Sequence, residues 1–393
     1  MASITPPTRT CLLLDVDGVL LHAAGYKVAL RDTVNHFTAQ MGLPAWGPDE
    51  DEVSLFEACG ITNEWDSGAM CLGALLAVAL ADAPHLRRGT LDETLAAVAE
   101  ARLSLARPDF RHTARLLRDR QTDGLHPAAI YLALLGEQLS AEDLPLFSAL
   151  LADVYSIDAP TTRVFQTHTL GSERFEETYG FPAPFESPSY LKAYDVPLLS
   201  DESRARLLDW HAQPGHGAVV FTARPSLPPA DVPDRVLRGY PPEGELATEL
   251  LALDGQLILM GQGRVSWLAA QNGRDVTAYV KPSPVQALAA IGAAVSGEES
   301  TSLHAAADFV ERGLIGGPLD LLREGQTHVI VCEDAINGIR AARGAVDRLR
   351  AAGLDVTFEA VGISPHPDKR AALAAVADRV VDDINAGLAE IGA

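Results

Sequence analysis

Short apolar runs that stop at a polar residue recur along the chain. Residues 11–20 read CLLLDVDGVL, an apolar run that ends at Asp15, with Asp17 and Gly18 close behind. A run of this length bounded by turn residues predicts a strand buried on both faces, as in a parallel sheet. Residues 216–224 (HGAVVFTAR) end a second run at Thr222. Residues 275–284 (DVTAYVKPSP) end a third at Lys281, and residues 328–338 (HVIVCEDAING) a fourth at Glu333 and Asp334. Each of the four is expected to be a strand with its polar group at the carboxyl end. Further strands are expected at 257–260, 356–363 and 379–381.

Elsewhere the apolar positions follow a helical period. Residues 27–41 place Val28, Leu30, Val34, Phe37 and Met41 on one face, with Gly42 as the stop. Helices are expected at 53–59, 65–80, 128–139, 144–155 and 165–179. Thr90 and Glu93 form a capping box for another, running to about residue 106. Pro182, Pro184 and Pro188 then break the chain. Beyond them, helices at 201–212, 265–271, 285–295, 336–351 and 371–377 alternate with the strands, the rhythm of a doubly wound sheet. Residues 223–245 read as a Pro-rich surface excursion and 296–325 as an insertion before the fourth strand. Residues 1–8 read as a loose lead-in. The expected domains are therefore 1–22 with 196–393, an α/β Rossmann-like parallel-sheet core, and 23–195, a helical domain inserted after the first strand.

Composition narrows the function classes. The 393 residues suffice for two or three domains. A formal net charge of −22 disfavours a nucleic-acid backbone as partner. It also means that an anionic substrate needs local positive charge. Lysine is scarce: only Lys27, Lys192, Lys281 and Lys369 occur, and one of them ends the third run. The four cysteines show neither metal-ligand spacing nor disulfide density, and Cys11 and Cys332 read as buried thiols. The start of the chain lacks a basic segment followed by an apolar one, and the apolar stretch 69–81 is too short to span a bilayer. A cytoplasmic setting with no membrane partner is expected.

Asp, Thr, Lys and Glu-Asp, in that order and each ending an apolar run, resemble the four motifs of the haloacid dehalogenase (HAD) superfamily. The forms DxDGV, KPSP and EDxxxG are most similar to its β-phosphoglucomutase branch. The resemblance covers residues 9–22 and about 200–393. It implies a HAD core whose helical insert is a cap closing over the active site. It implies Asp15, Asp17, Thr222 and Lys281 as catalytic residues. It further implies Mg²⁺ held by Asp15, the main-chain carbonyl of Asp17, Glu333 and Asp334. The second aspartate, Asp17, argues for a phosphatase or phosphomutase over a dehalogenase, because halide needs no general acid. The substrate implied is a small phosphorylated metabolite.

These residue types suit that chemistry. Phosphoryl transfer needs an in-line nucleophile, charge neutralisation and a proton for the leaving group. Asp15 can attack, and Asp17 can supply the proton. A hard cation prefers the carboxylate oxygens. Thr222 and Lys281 can hold phosphoryl oxygens. Thr222 can equally satisfy a strand end, and Glu333–Asp334 can cap a helix. Arg224 can add a phosphate fork or form a surface salt bridge. Trp65 and Asp66 can belong to a cap specificity loop that contacts substrate, or to a helix start capped by Asn63. Lys27, His22 and His168 carry no motif. The leading expectation is a Mg²⁺-dependent phosphatase. The alternatives are a phosphomutase and a non-catalytic capped binding or regulatory protein.

Overall fold

In a computed structural model, residues 9–118, 120 and 125–393 are described; the lead-in at 1–8 lies outside them. The CLLL run forms β1 (Arg9–Leu14), with β2 (Leu21–His22) soon after. The chain returns through β3 (Val196–Pro197), β4 (His216–Phe221), β5 (Ile258–Met260), β6 (Thr327–Glu333), β7 (Val356–Ile363) and β8 (Arg379–Val381). Six strands make one parallel sheet in the order β5-β4-β1-β6-β7-β8. β2 and β3 pair antiparallel, bringing together the two points where the chain leaves and re-enters this unit.

The apolar runs are uninterrupted because the sheet is covered on both faces. Successive β1 side chains point to opposite sides. Cys11 and Leu13 join Val219, Phe221, Val329 and Val331 under helices Pro284–Ser296 and Ile336–Ala351. Leu12 and Leu14 join Ala218, Val220, Ile330 and Cys332 under helices Asp201–His211 and Ile384–Ile391. The sheet is thus the centre of a three-layer Rossmann-like α/β unit.

One expected strand is absent. Residues 275–284 hold a 3₁₀ turn, Val276–Ala278, and not a strand. Asp275 caps it, accepting from the Thr277 N–H at 2.9 Å. The apolar run there exists because Tyr279 is buried, with its hydroxyl donating to Glu311 and accepting from Asn272. The insertion at 296–325 folds as helix Ser300–Arg312 and a 3₁₀ segment, Gly317–Arg323. Leu303, Ala306, Leu319 and Leu322 extend the core around Leu288 and Ile291.

The chain divides into two compact units, one ending at Ala23 and resuming as Asp195–Ala393, the other Ala24–Tyr194. The second is helical. Its helix Glu64–Asp82 is long and apolar enough by composition to cross a bilayer, yet 72% of that stretch is buried within the structure. Such burial is the pattern of a core helix. The capping box at Thr90 and Glu93 forms, but its helix ends at Ala101, where Arg102 turns left-handed with φ 48°. The helix expected over 165–179 is two, Pro160–Leu170 and Ser172–Tyr179, split at Gly171. Gly171 has φ +83°, and a Cβ there would lie 2.7 Å from the Ser189 nitrogen. A helix at Phe110–Leu117 was not among the expected ones, although Phe110, Thr113, Ala114 and Leu117 fall at helical spacing and form its buried face. All four cysteines are buried free thiols.

Candidate active site

The sheet register delivers the first acidic groups. Leu14 pairs with Val220 on one side and Cys332 on the other. The next step along β1 is Asp15, whose N–H donates to the Cys332 carbonyl at 3.1 Å. The next step along β6 is Glu333. Parallel pairing therefore sets the two carboxylates side by side at the carboxyl edge of the sheet, where ligands bind in this architecture.

Two glycines make room for them. Gly18 has φ +74°, and a Cβ there would lie 2.1 Å from Asp334 Oδ2. A Cβ at Gly338, in the first turn of helix Ile336–Ala351, would lie 1.5 Å from Glu333 Oε1. The Glu333 carboxylate fills that space and accepts from the N–H groups of Asp334 and Ala335, both at 3.0 Å. Both N–H groups precede helix Ile336–Ala351, whose start carries no side-chain cap bond. Glu333 therefore does not cap the helix; it lies near the N-terminal end, where a negative group is favoured.

Lys281 reaches this cluster from the turn before helix Pro284–Ser296. Its Nζ donates to Asp15 Oδ1 at 2.9 Å, to Glu333 Oε1 at 2.6 Å and to the Phe221 carbonyl at 2.8 Å. It also lies 3.9 Å from the Phe221 ring centroid. Asp334 pairs with Lys369, from helix Pro367–Leu373. Thr222 lies just past β4 and is buried, its hydroxyl accepting from the Arg224 N–H at 3.1 Å.

Burial pushes the Asp15 carboxyl above its usual range, with Lys281 opposing the shift. Burial and the Asp15 charge push Glu333 up to about 8, and the same two causes push Asp334 up to about 6. Burial alone would depress Lys281, but Asp15 and Glu333 overcome it and raise it. Three carboxyl groups, two buried and Asp334 half-buried, share two ammonium groups, so all three can be ionised together only with a further positive charge. Donor oxygens of Asp15, Glu333 and Asp334 lie within 4.8 Å of one another. All-oxygen donors, this spacing and this deficit of positive charge fit a hard divalent cation.

Arg224 is not a surface residue. It is buried between two carboxylates, donating from Nε to Asp17 Oδ1 at 2.9 Å and from Nη2 to Asp195 Oδ2 at 2.9 Å. Its place is to hold Asp17, whose side chain turns to it and is not one of the clustered carboxylates. Trp65 and Asp66 lie in the helical unit. Asp66 is fully buried and accepts from His126 Nδ1 and the Ala128 N–H at 2.8 Å, and from the Tyr155 hydroxyl at 2.7 Å. Its carboxylate is therefore a structural hub, and Asn63 does cap the helix start. Trp65 packs against Tyr26 and Phe165. Lys27 pairs with Glu57, His22 lies in β2, and His168 is buried beside Phe185 and Tyr190.

Sequence reasoning missed Gln286. Its side chain is fully buried and donates to the carbonyls of Thr222 at 2.7 Å and Met260 at 2.8 Å, while accepting from the Lys281 N–H at 3.3 Å. One amide thus ties the Lys281 turn to the ends of β4 and β5. It also missed Asp195 and Lys369. No pattern in the sequence marks any of the three.

No protein-family model and no curated protein sequence matches the chain. Among solved structures, a Northeast Structural Genomics Consortium target, ZR25, superposes with a TM-score of 0.64 at 15% identity, over 96% of this chain and 98% of its own. That likeness shows a common fold. Phosphatase Tt82 from Thermococcus thioreducens aligns with a TM-score of 0.43 at 16% identity, over 88% and 91% of the two chains. A HAD-superfamily hydrolase, subfamily IA, variant 1, from Geobacter sulfurreducens PCA aligns with a TM-score of 0.36 at 13% identity, over 99% and 100%.

Proposed function

We propose that the chain is a Mg²⁺-dependent phosphatase of HAD type that hydrolyses a small phosphomonoester through an aspartyl-phosphate on Asp15. The observation that carries the reading is the convergence of Asp15, Lys281, Glu333 and Asp334 at one edge of the sheet.

Asp15 is the nucleophile. Lys281 holds its Oδ1, and the other oxygen is the one that attacks phosphorus. Asp17 delivers a proton to the leaving oxygen and later takes one from the attacking water. To do so it leaves the Arg224 fork and takes up a proton from solvent, and Asp195 keeps the guanidinium in place meanwhile. Lys281 and the Thr222 hydroxyl draw off charge from the phosphoryl oxygens. Asp15, Glu333 and Asp334 would hold the Mg²⁺, together with the Asp17 main-chain carbonyl. When bound, the ion relieves repulsion between the attacking carboxylate and the phosphate.

The test is release of inorganic phosphate from a panel of sugar phosphates and an aryl phosphate with Mg²⁺, with Asp15→Asn as control. Turnover lost in the variant supports the reading. No release across the panel, or equal release by Asp15→Asn, defeats it. Transfer of the phosphoryl group to a second sugar hydroxyl without release would mark a phosphomutase instead.

A further inference from the structure

Two of the chain's four lysines share out the three carboxylates, Lys281 taking Asp15 and Glu333 and Lys369 taking Asp334, and they hold them differently. Lys281 is locked: its side chain is 7% exposed and bonded to two carboxylates and a main-chain carbonyl. Lys369 is loosely held. Its side chain is 44% exposed, and its only hydrogen-bond partner among the described residues is Asp334. It stands in the first turn of the short helix Pro367–Leu373, just past the carboxyl end of β7. Pro365 and Pro367 on either side of His366 stiffen the approach to that turn. The lysine stem, by contrast, can swing into water.

We propose that Lys369 is the resident counter-ion of Asp334 and is displaced when a divalent cation binds. The inference rests on the cation reading given above and adds to it the residue that competes with the ion. The pair is open to water on its lysine side, which weakens it, so a doubly charged ion held by three carboxylates displaces it. Asp334 cannot retreat from the exchange on one side, because Gly18 leaves no more room than its Oδ2 occupies. The released ammonium then stands at the rim of a site on a strongly acidic chain, where it adds to the field that draws an anionic substrate.

The experiment is direct Mn²⁺ binding, followed by the spectroscopic signal of the free ion at low salt. The proteins are the wild-type chain, Lys369→Met, Lys369→Arg and Asp334→Asn. Lys369→Met should bind about fivefold more tightly than wild type, the scale of one exposed ion pair removed. The gain should shrink as ionic strength rises. Lys369→Arg, which keeps the competing charge, should stay within about twofold of wild type. Asp334→Asn should bind weakly. If wild type and Lys369→Met bind equally, or Lys369→Met binds more weakly, the exchange is wrong and the cation site stands. If neither binds Mn²⁺, the cation reading falls and the exchange with it.

Discussion

Replacing Lys281 by methionine tests the electrostatic account of the site without reference to turnover. Methionine keeps most of the stem and removes the ammonium. Asp15 and Glu333 then lose the cation they share, and the Phe221 carbonyl loses its donor. Removing one partner from a buried charge network costs about 3–5 kcal/mol. Protonation of the carboxylates limits the loss, so about 3 kcal/mol is expected at neutral pH. For the compact unit of residues 1–23 and 195–393 that lowers Tm by about 6–12 °C. The pH dependence has a definite sign. Glu333 already sits at about 8 against an ordinary 4.5, raised first by burial and then by Asp15. Loss of Lys281 raises it and Asp15 further. A carboxyl whose folded value is raised favours folding below its unfolded value and opposes folding as pH climbs through the folded one. The deficit of Lys281→Met should therefore be small near pH 5 and grow towards pH 8. Added Mg²⁺ should stabilise the variant more than wild type, because the ion supplies the missing charge. Thermal melts by circular dichroism at pH 5 and pH 8, with and without Mg²⁺, check both points. An equal deficit at both pH values, with no extra gain from Mg²⁺, would refute the reasoning.

Three further substitutions probe parts that act at different levels. Gln286→Ala strands two buried carbonyls and should cost about 2–4 kcal/mol in melts; by loosening the Lys281 turn it should also lower kcat more than it raises KM in the phosphate-release assay. Gly338→Ala puts a methyl group into the space of the Glu333 carboxylate, 1.5 Å from Oε1. Mg²⁺ titration by calorimetry should find binding at least about tenfold weaker, with about 2 kcal/mol of stability lost. Asp66→Ala removes the acceptor of one buried donor, the Ala128 N–H, and of two that reach water, His126 and Tyr155, and should destabilise the chain by about 2 kcal/mol, while calorimetry finds Mg²⁺ affinity unchanged. The bond to Asp66 raises the His126 pKa, and a raised histidine stabilises below its unfolded value and loses that contribution as pH climbs through its folded one. The Asp66→Ala penalty should therefore be larger at pH 6 than at pH 9.

What the sequence determined by itself is the alternation of buried and exposed positions, and hence most of the sheet. Runs such as CLLL and VIVC are apolar because both sheet faces are covered, and that condition is written in consecutive residues. Asp15, Glu333 and Asp334 were legible for the same reason: each ends such a run. The third run misled, since Tyr279 is buried by a turn and local apolarity does not say which backbone buries it. Only the tertiary structure decided partners. Lys281 meets Asp15 across 266 positions, Arg224 is claimed by Asp17 and Asp195, and Asp66 is spent inside the helical unit. Gln286 and Lys369 carry no pattern at all. Crossover connections choose which strand ends become neighbours, so the side chain that faces a given carboxylate depends on packing hundreds of residues away.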